Sequence, residues 1–362
     1  MTGGQTERSS GYRGRITELL SLDATLALAG MCKNAGKTTV LNRLLAELGQ
    51  ERRTVALTSI GRDGETEDVA TGTHKPRIYV EEGTIFATAS DLLYNCDTST
   101  EILAMSGVST PMGEVVVCRA RSGGFLDLAG PSMNQQLVEL SEQFRQFEPD
   151  KILVDGAISR KSLCSRRVAG EVILCTGASY HRDVDVVVAD TAYIAELLQL
   201  PEASEAAWRD CLLLARRELG EGNKILVLGE DGAWHAPGRG EKLVDVLRDK
   251  QYQKCRYFWL EGAVTDAMLR PLLLSNVPLA ERVFVAEDSS KLLLGEDTYR
   301  KLGRRGGSIR VLWQIYLRAI TVNPFSAYGN HFDGKELKEK MQAAVDLPVL
   351  DVKEEKDDFI DL

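Results

Sequence analysis

Apolar and polar positions follow two rhythms along this chain, and the rhythm changes many times. Ala24-Thr-Leu-Ala-Leu-Ala29 is a short, almost unbroken apolar run, the pattern of a strand buried on both faces. Val40-Leu-Asn-Arg-Leu-Leu-Ala-Glu-Leu48 spaces its apolar residues by three and four, the period of a helix with one buried face. Thr54-Val-Ala-Leu-Thr-Ser59 returns to the strand pattern. After a long polar loop the spacing predicts helical segments at Ile85–Tyr94 and Thr98–Ser106 and strands at Gly113–Arg119 and Leu126–Leu128. A helix at Met133–Gln146, strands at Lys151–Val154 and Val172–Thr176, and a helix at Asp190–Leu200 complete the first half. The second half repeats the alternation, with strands at Lys224–Leu228, Tyr257–Leu260, Arg282–Ala286, Arg310–Trp313 and Ala319–Val322. Helices are expected between them at Glu241–Leu247 and Thr265–Leu273. The expected class is α/β: a mainly parallel sheet with helices on both faces, followed by a second α/β portion.

A chain of 362 residues is long for one compact unit. Residues 1–15, rich in Gly, Ser, Thr and Arg, are expected to be disordered. The first domain is expected at 16–205, the second α/β domain at 206–352, and a charged tail at 353–362. A net charge of −9 argues against general nucleic-acid binding, which calls for a basic face. No apolar run reaches the ~20 residues of a membrane span, and no signal-peptide core is found at the N-terminus. Seven cysteines (Cys32, Cys96, Cys118, Cys164, Cys175, Cys211, Cys255) contain no Cys-x-x-Cys pair and fit reduced thiols of the cytoplasm better than disulfides or structural zinc.

The chemistry concentrates between the first strand and the first helix. Gly30-Met-Cys-Lys-Asn-Ala-Gly-Lys-Thr-Thr39 resembles a Walker A phosphate loop, in which glycines let backbone N–H groups close around phosphate oxygens. Gly30, Asn34, Ala35, Gly36, Lys37, Thr38 and Thr39 are therefore the candidate nucleotide-binding residues. Lys37 can reach the outer phosphates, and Thr38 can place a hydroxyl on Mg²⁺. Five residues separate the two glycines, one more than in the common Gly-x-x-x-x-Gly-Lys-Ser/Thr pattern.

Ligands of parallel sheets gather at the carboxyl ends of the strands, so acidic residues there are candidate metal partners. Lys151-Ile-Leu-Val-Asp155-Gly156 has the Walker B form, although a strand-end turn also accounts for Asp155. Asp63, in Thr58-Ser-Ile-Gly-Arg-Asp-Gly-Glu65, can hold Mg²⁺ or orient an attacking group, and an Asp-Gly turn gives the same spacing. Lys37, Asp63 and Asp155 are the catalytic candidates, and Thr38, Asp63 and Asp155 the metal candidates. Thr73-His-Lys-Pro-Arg77 and Ser159-Arg-Lys-Ser162 are basic loops suited to phosphates or equally to solvent. His181 with Asp183 reads as a satisfied polar turn, and Asn323-Pro-Phe-Ser326 either caps a ligand or forms a turn. Cys32 lies in the loop without an identified base, which suggests a liability to oxidation and no nucleophilic role.

The longer loop resembles that of the dethiobiotin synthetases and the cobyrinic acid synthetase group, over the loop, its flanks and, more loosely, the chain to about residue 190. Lys33 does not match the loop lysine that some of those relatives use across a dimer, and a homodimer stays open. With Thr58–Glu65, Lys75-Pro-Arg-Ile-Tyr-Val80, Glu82-Gly-Thr-Ile85 and Val154-Asp-Gly-Ala-Ile-Ser-Arg-Lys161 added, the chain looks like the P-loop accessory subunits encoded with lysine 5,6-aminomutase, described as part of its reactivase. That resemblance implies ATP and Mg²⁺ as cofactors, and a second reactivase ATPase subunit and the aminomutase as partners. It also implies a nucleotide-driven change of shape that lets damaged cobalamin leave. A ligase of dethiobiotin synthetase type and a nucleotide-dependent cofactor chaperone are the alternatives. ATP is favoured over GTP, as no Asn-Lys-x-Asp sequence of the guanine-reading kind occurs convincingly.

Overall fold

In a computed structural model, residues 14–61, 77–156, 165–203, 212, 213, 217, 224–238 and 240–352 are described. The chain divides into two compact units, one formed by residues up to Ala195 together with Tyr316 onward, the other by Glu196–Ile315. The expected division near residue 205 is thus drawn slightly earlier, and the segment after Ile315 returns to the first unit. Periodicity reports an element but not its sheet, so this return was not visible in the strand pattern.

The first unit carries strands β1 (Leu26–Gly30), β2 (Val55–Ser59), β3 (Ile78–Val80), β4 (Ile85–Ala89), β5 (Thr100–Thr110), β6 (Gly113–Ala120), β7 (Gly124–Leu126), β8 (Lys151–Asp155) and β9 (Glu171–Gly177). Its helices are α1 (Lys37–Gln50), α2 (Asn134–Arg145) and α3 (Val184–Leu198). The second unit holds β10 (Ile225–Leu228), β11 (Trp234–His235), β12 (Tyr257–Leu260), β13 (Val264–Thr265), β14 (Val283–Ala286), β15 (Leu292–Leu293) and β16 (Ser308–Val311). Helices α4 (Leu243–Arg248), α5 (Asp266–Leu274) and α6 (Glu296–Arg304) belong there too. Strand β17 (Tyr316–Asn323), α7 (Gly334–Ala344) and β18 (Val349–Leu350) close the first unit.

The main sheet has nine strands in the order β18-β17-β9-β1-β8-β2-β4-β6-β5. Neighbours from β18 to β4 run parallel, and the β6–β5 hairpin joins β4 antiparallel. The pleat sorts the core onto two faces. Leu26, Leu28, Leu57, Phe86 and Leu153 meet Val40, Leu41, Leu44 and Leu48 of α1 on one side. Ala56, Ile85, Ala87 and Ile152 meet Leu140 and Phe144 of α2 on the other. The second unit is built on a five-stranded sheet, β11-β10-β12-β14-β16, with β12, β14 and β16 parallel and Trp259, Val283 and Val285 in its core.

Two expected helices are strands. Ile85–Ala89 is a strand buried along its whole length, followed by a 3-10 turn at Ser90–Asn95, and Thr98–Ser106 falls largely in β5. A fully buried strand shows no alternation, so its apolar run imitates a buried helix turn. The turn residues Met112-Gly113 that fold β5 onto β6 are the local signal for the hairpin, with Gly113 at φ 95°.

At the end of the sheet away from the glycine loop, Lys151 and Glu171, the first residues of β8 and β9, form a buried pair at 2.8 Å. Arg318 also reaches Glu171, at 2.6 Å, and Ser21 N–H donates to it at 2.9 Å. The pair is compensated on several sides, as buried charges must be.

Candidate functional site

Strand β1 sits fourth in the sheet with β9 and β8 on either side, so its carboxyl end opens at the middle of a parallel sheet. The chain leaves it through Met31, whose N–H is held by the Cys175 carbonyl at 2.8 Å, and enters α1 at Lys37. Asn34 and Gly36 both have positive φ, 60° and 93°. Gly36 is the N-cap of α1, and the helix start carries neither a side-chain cap nor an acidic residue in its first turn. That leaves the partial positive charge of a 14-residue helix facing the loop.

Gly30 has a spatial reason to be glycine: a Cβ there would lie 2.8 Å from Lys37 Nζ and 3.2 Å from the Cys32 carbonyl oxygen. Lys37 folds over that gap and donates to the Cys32 carbonyl at 3.3 Å, closing the loop on itself. Thr38 and Thr39, in the first turn of α1, are half-buried, and Lys33 is exposed. Replacing Gly36 by alanine is expected to cost about 1–2 kcal/mol, since a Cβ is disfavoured at this φ. Urea unfolding of the variant checks this, and an unchanged midpoint would contradict it.

Asp155 ends β8 level with Leu28 of β1 and Ser59 of β2. Its Oδ1 is closed off from solvent and has no hydrogen-bond partner among the described residues. Burial pushes its carboxyl above the ordinary range, while the nearby Lys37 ammonium and the Gly156 N–H pull it down. A buried acceptor left open beside a lysine can take a cation, a proton or a water. Cys32 is also raised by burial, against a smaller pull from Lys37, so it is not an activated thiolate.

The structure thus brings Gly30, Asn34, Ala35, Gly36, Lys37, Thr38 and Thr39 into one loop and sets Asp155 on the neighbouring strand. Asp63 and Arg62 lie outside the described residues, as do His74, Lys75, Arg160 and Lys161. Arg77 is described and is engaged elsewhere: it pairs with Asp97 at 2.6 Å and lies over the Phe125 ring. His181 Nδ1 accepts from Asp183 N–H at 3.0 Å, and Asp183 accepts from Asp185 N–H at 2.9 Å, a satisfied turn leading into α3. Gly130, expected as a turn glycine, meets Ser59 so closely that a Cβ would stand 1.8 Å from its carbonyl oxygen.

Asn323 is the residue that sequence reasoning left unassigned. It ends β17, and its side-chain amide reaches the Asn34 carbonyl at 3.2 Å. An Asn-Pro pair after an apolar run was the available signal, but nothing local linked that strand to a loop 289 residues earlier. Among the described residues no group of three or more His, Cys, Asp and Glu side chains is placed to hold a metal ion. No described helix is long and apolar enough to cross a membrane. Comparison with protein-family models, with curated proteins and with solved structures gives no match.

Proposed function

We propose that this chain is a P-loop protein that binds ATP with Mg²⁺ and uses the nucleotide cycle to reactivate an adenosylcobalamin-dependent aminomutase. The observation that carries the nucleotide part is the juxtaposition of Lys37, folded over Gly30, with the Oδ1 of Asp155, unpartnered among the described residues, at the same end of the sheet. A proton or a water would account for the carboxylate oxygen alone, whereas a phosphate with its magnesium would account for both groups.

In this reading the N–H groups of the Gly30–Gly36 loop and of the α1 start hold the inner phosphates. Lys37 exchanges the Cys32 carbonyl for an outer phosphate oxygen, a stronger, charge-assisted partner. Thr38 and Asp155 face the cation directly or through its waters. A magnesium ion keeps several waters and needs few protein ligands. The Mg²⁺ that accompanies the nucleotide would offset part of the charge of Asp155, and loss of the γ-phosphate would take away the partner of Lys37. That difference is what a switch needs to bias two shapes.

The reactivating role rests on the resemblance of the motifs to the aminomutase accessory subunits. A second ATPase subunit and the aminomutase are then the partners. The test is a calorimetric titration of the chain with non-hydrolysable ATP and GTP analogues, with and without Mg²⁺, followed by steady-state hydrolysis. We expect Mg²⁺-dependent binding that favours ATP, and slow hydrolysis stimulated by the aminomutase. Binding of neither nucleotide sinks the nucleotide reading. Stimulation by a small carboxylate acceptor, with none by the aminomutase, replaces the reactivase by a ligase.

A further inference from the structure

We propose that Asn323 is a positioning residue for the glycine loop, fixing the peptide between Asn34 and Ala35 so that the Ala35 N–H turns toward the anion. The inference rests on the nucleotide-binding reading above. Asn323 Nδ2 donates to the Asn34 carbonyl at 3.2 Å. In a trans peptide the carbonyl and the next N–H point in opposite directions. Drawing the Asn34 carbonyl toward β17 therefore aims the Ala35 N–H away from β17. Asn34 turns the chain at a φ of 60°, a left-handed conformation that asparagine tolerates better than most residues with a Cβ, and the bond from Asn323 holds its carbonyl in that turn. The Asn323 Cβ also lies 3.4 Å from the place of a Gly36 Cβ, so the same side chain backs the second glycine of the loop.

Asn323 is itself held from other directions. Its Oδ1 accepts from Phe325 N–H at 3.2 Å, and its carbonyl accepts from Ala178 N–H at 2.9 Å. Gly177 makes room for this approach, as a Cβ there would lie 2.0 Å from the Asn323 carbonyl oxygen. Thr321, two residues earlier, is in register with Cys175 of β9, so β17 is tied to the strand whose carbonyl holds Met31. The cavity beside Ala35, Gly36 and Asn323 measures about 20 Å³, room for a water and not for a purine. As found, Asn323 contacts the loop at Asn34 and lines this small cavity.

The test uses the full chain and three probes with Mg²⁺: inorganic tripolyphosphate, ATP and GTP, each titrated calorimetrically. Asn323→Ala removes the donor, and Asn323→Ser keeps an acceptor for the Phe325 N–H while its hydroxyl is too short to reach Asn34. Circular dichroism establishes that each variant is folded, and the serine variant carries the test if the alanine one is not. We expect tripolyphosphate and ATP affinity to fall together, by about tenfold, with the ATP-to-GTP ratio unchanged. Unaltered tripolyphosphate affinity in a folded variant overturns the proposal. If the ATP-to-GTP ratio collapses at the same time, Asn323 reads the base instead. Failure of the wild-type chain to bind any of the three probes overturns the nucleotide-binding reading itself, and this inference with it.

Discussion

Lys37→Ala is expected to weaken Mg²⁺–triphosphate binding by about 100-fold or more, roughly 2.8 kcal/mol, while leaving the fold in place. The size follows from what Lys37 does in each state. In the free chain it makes one long hydrogen bond among the described residues, 3.3 Å to the Cys32 carbonyl, whose loss costs little. With a triphosphate present it makes a charge-assisted contact in a part-buried site beside the middle of a parallel sheet, where water screens it poorly. A second consequence follows from its neighbour. Lys37 is the charge that pulls the Asp155 carboxyl down against burial, so the alanine variant should hold its Asp155 proton to higher pH. Calorimetry with a non-hydrolysable analogue reads the affinity, and circular dichroism with thermal unfolding reads the fold, where a drop of only a few degrees is expected. A folded variant with wild-type affinity would remove Lys37 from the site and leave the loop without its proposed role.

Much of the architecture was legible in the sequence, for physical reasons. The strand–glycine loop–helix unit was readable because it is local: β1, the loop and α1 follow one another within residues 26–50. Asp155 was readable because a strand-end carboxylate before glycine needs no distant partner to be noticed. What failed was non-local. Ile85–Ala89 looks helical in isolation because its five buried residues give no alternation, and only its place between β2 and β6 makes it a strand. The return of β17 after the 120 residues from Glu196 to Ile315 could not be read from periodicity, and with it went the contact of Asn323 with the loop. Asp63 was as legible as Asp155 by the same argument, but it falls outside the described residues.

Asp155→Asn should separate stability from function, raising one and removing the other. In the folded chain the Asp155 carboxyl lies above its ordinary value of 3.8, chiefly because burial penalises the charge and in spite of Lys37. A group raised in this way holds its proton more tightly folded than unfolded, so stability falls as pH rises from the ordinary value through the folded one. Well below pH 3.8 Asp155 is neutral in both states and behaves much like asparagine, so the two proteins should then have similar stabilities. Toward neutral pH the aspartate chain carries the cost of a buried carboxylate and the variant does not, and the asparagine chain should become the more stable by on the order of 1 kcal/mol. Urea unfolding of both proteins across a pH series reads this difference, and a gap that is flat or of opposite sign would refute the assignment of cost to Asp155. The same variant should lose the part of triphosphate affinity that depends on Mg²⁺, because a neutral amide oxygen is a poor substitute for a carboxylate toward a hard dication. A chain that gains stability and keeps its Mg²⁺ dependence would mean that Asp155 is buried for packing alone. Loss of both would mean that its Oδ1, unpartnered among the described residues, is a structural acceptor whose partner the free chain does not show. Only gain with loss identifies a carboxylate that the fold holds at a cost because a cation will use it, as functional sites commonly do.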